Sequence, residues 1–161
     1  MTTSETAHSQ QQLRGLLRDL PFFKLLGLEF VEAEPGRSIT RISMRPDLAQ
    51  PAGLMHGGVI ASLIDTGTAY ALLLREEIQD TLRDGGSLVT VDLRVKYLRP
   101  VADGIITCEA RVIRMGRQII HTDAVVTNEA GAEVARGDAI YTTAGTFPTS
   151  SQAVPYAYPK A

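Results

Sequence analysis

Cysteine is nearly absent from this chain: Cys108 is the only one among 161 residues. One thiol cannot close an intrachain disulfide, and no zinc-type cysteine spacing exists, so neither a disulfide scaffold nor a structural zinc domain is expected. A lone cysteine also favours a reducing, cytoplasmic setting. Long apolar runs are missing as well. The stretch Val59–Leu74 is too short to span a bilayer and carries Asp65 near its middle, so no membrane partner is expected. The segment MTTSETAHSQQQ lacks the basic start and apolar centre of a secretory signal. Charge of one sign is not in excess: the formal net charge of −2 gives no general attraction for nucleic acid. There is no glycine-rich phosphate loop of the nucleotide-binding kind, no serine or cysteine in a recognisable nucleophile elbow, and no internal repeat or domain linker.

What is present is an ordinary globular composition, 44% hydrophobic and 21% charged, in a chain long enough for one domain with a sizeable core. Residues 1–9 read as disordered and 145–161 as an irregular Pro-, Ser- and Ala-rich tail, which leaves 10–144 as the folded domain. Leu13, Leu16, Leu17 and Leu20 recur at helical spacing before Pro21. An apolar cluster of Phe22, Phe23, Leu25 and Leu26 follows. Leu28–Ala33 and Ser38–Arg45 read as two strands joined by the turn Glu34-Pro35-Gly36-Arg37, a hairpin. A helix is expected from about Gly58 to Gln79. Four strands then follow at Leu88–Leu98, Ile105–Arg114, Gln118–Thr127 and Glu133–Thr142. The first of these alternates cleanly, with Val89, Val91, Leu93, Val95 and Tyr97 on one face and Thr90, Asp92, Arg94 and Lys96 on the other. The helix is too apolar to lie on a surface, and its small residues permit close approach on several sides. A curved antiparallel sheet wrapped around one long central helix, an α+β fold, accounts for the pattern.

The chemistry concentrates at His56-Gly57-Gly58 and at Asp65. Two glycines at the head of a helix expose backbone N–H groups where the helix dipole is positive. A carboxylate inside an apolar helix is costly unless paired, hydrogen-bonded or used, and desolvation favours it as a base. Together they point to reaction at a polarised carbonyl, with Gly57 N–H stabilising the oxyanion and Asp65 acting as base toward water or as direct nucleophile. Eight residues of helix separate the two by roughly 12 Å, so one chain does not easily deliver both groups to one carbon. Two chains with antiparallel central helices do, which predicts a dimer with two equivalent shared sites. Gln50, on the preceding loop, is a candidate to hold the water or the carbonyl. His56 reads either as a turn residue that caps or packs, or as an acid–base group. His121, in mid-strand, reads as structural. Arg94, Lys96, Arg99, Arg114 and Arg117 are candidates to meet phosphates.

The segment Gln50-Pro-Ala-Gly-Leu-Met-His56-Gly57-Gly58-Val-Ile-Ala-Ser-Leu-Ile-Asp65 resembles the hot-dog-fold acyl-CoA thioesterases of the phenylacetic-acid-degradation (PaaI-type) and 4-hydroxybenzoyl-CoA thioesterase group. Leu88–Pro100 is similar to that family's strand after the helix, and Met115-Gly116-Arg117 to its next turn. The resemblance implies hydrolysis of an acyl-CoA substrate in a homodimer or dimer of dimers. Coenzyme A is then part of the substrate, and neither a further cofactor nor a metal is needed. It gives Asp65 the role of catalytic carboxylate, Gly57 that of carbonyl-polarising amide and Gln50 that of polar helper. Thr90 falls where some members place a hydroxyl that assists the water, and Ala69 cannot supply the alternative hydroxyl one turn after the carboxylate. Gly58, Gly116, Arg117 and Arg99 complete the candidates as substrate-binding positions. Two other functions compete: a hot-dog hydratase or dehydratase of acyl thioesters, whose histidine motifs are missing here, and a non-catalytic acyl-CoA-binding hot-dog protein. The known form of the latter carries an attached DNA-binding domain, for which the N-terminal segment is too short.

Overall fold

The computed structural model describes residues 20–145, together with residues 11 and 15. The expectations for 1–9, for the helix through Leu13, Leu16 and Leu17, and for the tail beyond 145 lie outside the described residues. A short helix, α1 (Pro21–Leu26), replaces the expected apolar cluster. Pro21 at its first position costs no hydrogen bond, and Gly27, at a φ of 65°, stops it in the left-handed conformation. The Arg45 guanidinium adds a second stop, donating to the Leu26 carbonyl at 3.1 Å and to the Leu25 carbonyl.

The hairpin β1 (Leu28–Glu34) and β2 (Arg37–Ser43) leads through a 3-10 turn at Pro46–Leu48 to the central helix α2 (Gly57–Leu73). A second helix, α3 (Glu76–Arg83), follows. Then come β3 (Ser87–Tyr97), β4 (Ile105–Met115), β5 (Ile120–Asn128) and β6 (Glu133–Ala144). The six strands form one sheet in the order β1-β2-β4-β5-β6-β3, antiparallel throughout. Helix α2 touches all six, which requires the sheet to curve around it as expected. Its Leu63 and Ile64 meet Ile42, Ile106, Val126 and Val134 in the core, while its Leu72 packs in a second cluster with Ile120, Ala139 and Tyr141. Gly67 lets helix and sheet approach closely: a Cβ there would sit 3.1 Å from Cys108 Sγ and 3.3 Å from Thr40 Oγ1.

Two expectations are corrected. The helix does not run unbroken to Gln79. It ends at Leu73, and α3 leaves at an angle of 91°. No glycine or proline forces this break. At Arg75 the sequence changes from the apolar Leu-Leu-Leu to the polar Arg-Glu-Glu, and the chain turns so that Ile78, with Leu82 partly buried beside it, packs back against Leu72, Ile120 and Tyr141. The Gly36 N–H of the β1–β2 turn holds the end of α2 by donating to the Ala71 carbonyl at 2.9 Å. The second correction concerns β3. Its register against β6 shifts between Thr90 and Asp92, so Val91 is an extra, bulged residue, 59% exposed. One extra residue reverses the alternation upstream of it. Thr90, expected opposite Leu93 and Val95, therefore shares their inward face.

Candidate active site

The loop before α2 is pinned before the helix starts. His56 N–H donates to the Leu48 carbonyl and Met55 N–H to the Val101 carbonyl, each at 2.8 Å. Within it, Gln50 Oε1 accepts from Ala52 N–H at 2.9 Å, so the side-chain carbonyl of Gln50 shapes the loop and its amide NH2 is left to meet a ligand. His56 is the N-cap of α2. Its Nδ1 accepts from Gly58 N–H at 2.9 Å, and its carbonyl accepts from Val59 N–H at 2.9 Å. A ring nitrogen held in this way does structural work at the helix start. Of the first three amides of α2, two are thus taken by His56, and Gly57 N–H has no partner among the described residues. Tyr97 packs over this corner: its hydroxyl donates to the Gly57 carbonyl at 3.0 Å, and a Cβ on Gly57 would lie 3.2 Å from its ring.

Two turns further along α2 stands Asp65, half-buried, in a set of hydroxyls. Thr90 Oγ1 donates to Asp65 Oδ1 at 2.9 Å across from β3. Tyr141, on β6 directly opposite Thr90 in the ladder, places its hydroxyl 3.1 Å from Asp65 Oδ1 and 2.8 Å from the Asp65 carbonyl. The same hydroxyl lies 2.8 Å from Thr68 Oγ1, which donates back to the Ile64 and Asp65 carbonyls at 3.0 Å. Burial, reinforced by the nearby Asp65 carboxylate, pushes the Tyr141 phenol well above its ordinary range. Tyr141 was not among the sequence candidates. Its signal was faint: a tyrosine at an inward strand position, whose hydroxyl needs a buried partner.

The structure gathers Asp65 with Thr90, and His56 with Gly57 and Gly58; it does not bring these two groups together. They occupy one straight helix roughly 12 Å apart. The remaining candidates divide likewise. Arg99 follows Tyr97, at the end of the β3–β6 ladder where Tyr97 faces Ala135, and donates to the Glu133 carbonyl. Gly116 and Arg117 lie in the tight β4–β5 turn just beyond the Ile120–Tyr141 pair, toward the opposite end. There Arg117 lines a cleft with Glu77, Thr81 and Thr143. Arg94 is engaged with Asp92 and Asp138 in exposed ion pairs. His121 is exposed on β5, away from both groups. Among the described residues, no cluster of three His, Cys, Asp or Glu side chains is placed to hold a metal ion, and no single helix is long and apolar enough to cross a membrane.

This geometry coincides with a family match. The thioesterase superfamily profile covers residues 52–135, from the loop before the glycine pair into β6. The chain belongs to the thioesterase superfamily. Human acyl-coenzyme A thioesterase 13 is 29% identical over 138 residues, 84% of this chain and 94% of that protein. The medium/long-chain acyl-CoA thioesterase YigI of Salmonella typhimurium is 30% identical over 152 residues, 88% of this chain and 98% of the relative. Among solved structures, a point variant of the phenylacetic acid degradation protein PaaI from Thermus thermophilus superposes with a TM-score of 0.67 at 25% identity, over 76% of this chain and 98% of that one. The architecture is the hot-dog fold, and the superfamily's chemistry is hydrolysis of a thioester.

Proposed function

We propose that this protein is an acyl-CoA thioesterase in which two copies of the chain share each active site. The observation that carries this reading is the division of the helix head: His56 occupies the Gly58 and Val59 amides and leaves Gly57 N–H, at the positive end of α2, as the donor for an oxyanion. Asp65 supplies the base. It takes a proton from water as the water oxygen attacks the thioester carbon. Negative charge gathers on the carbonyl oxygen against Gly57 N–H. The tetrahedral adduct then collapses, the C–S bond breaks, and the coenzyme A thiolate leaves and takes up the proton that Asp65 removed from water. A thiolate leaves readily, so backbone donors and one carboxylate suffice, and the reading includes no cofactor beyond the coenzyme A of the substrate.

A base must stand about 3 Å from the attacking atom, directly or through one water. A gap of roughly 12 Å along one helix therefore requires Gly57 of one chain to meet Asp65 of another. The edge strand β3 favours such pairing. It is eleven residues long and lies at the margin of the sheet beside α2, with Val91 and Tyr97 59% and 54% exposed. Antiparallel docking of two copies there would set the two α2 helices side by side, with Arg99 of one chain and Arg117 of the other on the rim where the phosphates of coenzyme A would lie. A dimer of dimers and a cytoplasmic setting complete the proposal.

The test is release of free thiol from a panel of acyl-CoAs. Wild type turns over, and Asp65→Asn loses about two or more orders of magnitude in kcat/KM. Equal rates in the two proteins would remove Asp65 from the chemistry. Tight acyl-CoA binding without turnover in wild type would favour the non-catalytic binding protein instead.

A further inference from the structure

The hydroxyls around Asp65 treat its two oxygens unequally. Thr90 Oγ1 donates to Oδ1 at 2.9 Å and the Tyr141 hydroxyl lies 3.1 Å from the same atom, while Oδ2 has no partner among the described residues. Tyr141 is fully buried, and its ring is fixed by Leu72, Ile78 and Ile120. Its phenol, raised by burial, stays protonated through the neutral and alkaline range and so remains a donor. We propose that Tyr141 is a positioning residue for thioester hydrolysis: with Thr90 it commits Asp65 Oδ1 to the protein and leaves Oδ2 as the oxygen that takes the proton of the attacking water.

The proposal rests on the assignment of Asp65 as base and adds to it which oxygen acts and what aims it. The geometry has three supports. Thr90 and Tyr141 are cross-strand partners in the β3–β6 ladder, so both reach Asp65 from one place on the sheet. The Val91 bulge turns Thr90 inward, so the pair exists only because of that extra residue. Thr68 sits 2.8 Å from the Tyr141 hydroxyl and has carbonyls of its own to donate to, so the phenol proton is shared between the Asp65 carbonyl at 2.8 Å and Oδ1 at 3.1 Å, both on the residue it positions. The other groups near the carboxylate do not compete. Asp65 is the only charged residue of α2. Arg94 pairs with both Asp92 and Asp138 on the outward face of β3 and β6. Tyr141 is thus the titratable group that the strands present to Asp65.

A hydrogen bond to an ionised carboxylate favours that form, so the pH profile of activity reports on the Tyr141 contact. Tyr141→Phe keeps the ring and removes only the hydroxyl. The expected result is a fall in kcat of about tenfold with KM within about twofold. The acid limb of the kcat/KM profile should move up by about half a pH unit. Replacing Tyr141 with 3,5-difluorotyrosine makes the phenol a stronger donor and should move the acid limb the other way, which a purely structural role would not do. A lower melting temperature in Tyr141→Phe with kcat and acid limb unchanged would overturn the proposal. So would difluorotyrosine and phenylalanine moving the limb in the same direction. Asp65→Asn separates the layers: wild-type turnover in that variant sinks the base assignment and this inference with it, whereas a dead Asp65→Asn beside an unaltered Tyr141→Phe sinks the inference alone.

Discussion

At the scale of single residues, the site is a matter of which donors are already spent. His56 uses its imidazole and its carbonyl to satisfy the Gly58 and Val59 amides, and that leaves Gly57 N–H without a partner among the described residues. This role needs an acceptor at position 56, not a proton shuttle. His56→Asn keeps a strong N-cap acceptor and should retain turnover within about threefold, whereas His56→Ala should cost about 1 kcal/mol of stability. Thermal melts and thiol release on both variants check this, and a loss of two orders of magnitude in His56→Asn would restore an acid–base role. Gly57 and Asp65 were legible in the sequence because each stands out from its neighbours: a glycine pair at a helix start, and one carboxylate in an apolar run. Tyr141 was not, because its partner is 76 positions away and nothing local marks it. Its role arises only once β6 lies beside β3.

At the scale of elements, periodicity located the strands and the central helix, but it carried no sign of where a regular element breaks. The alternation of Leu88–Leu98 was real, yet one extra residue at Val91 inverted its upstream half and turned Thr90 from the outer face to Asp65. The helix ended at Leu73 without a breaker, because the sheet ends there and Ile78 needs burial elsewhere. Neither event has a local signature, since both depend on neighbouring strands. Helix α1 is a further case. It buries only Leu26 and is held at its C-terminal end by the Arg45 guanidinium on the Leu25 and Leu26 carbonyls. A helix this short has little stability of its own. Arg45→Ala should lower the melting temperature by about 2–4 °C, as expected for roughly 1 kcal/mol in a chain of this size. Limited proteolysis should then cut first near Gly27. An unchanged melt and an unchanged cleavage pattern would show that α1 is held by its apolar contacts alone.

At the scale of the whole molecule, roughly 12 Å of helix between Gly57 and Asp65 sets the stoichiometry of the reaction. Two chains should be the smallest active unit. A Gly57→Val homodimer and an Asp65→Asn homodimer should each be impaired, while a mixed dimer of the two carries one site with both functions intact. Mixing the variants after gentle dissociation should therefore recover up to about half of wild-type turnover per mixed dimer. No recovery in a mixture shown to contain mixed dimers would place both groups of each site on one chain. A last consequence follows from Cys108. Every turnover of the proposed reaction liberates a thiol, and thiols that oxidise become disulfides able to trade partners with any accessible thiolate. The one sulfhydryl of this chain is sealed against helix α2, with 0% exposure and its titration pushed up to about 12 by burial. Coenzyme disulfide formed from the released product therefore finds no accessible thiolate on this chain to cap.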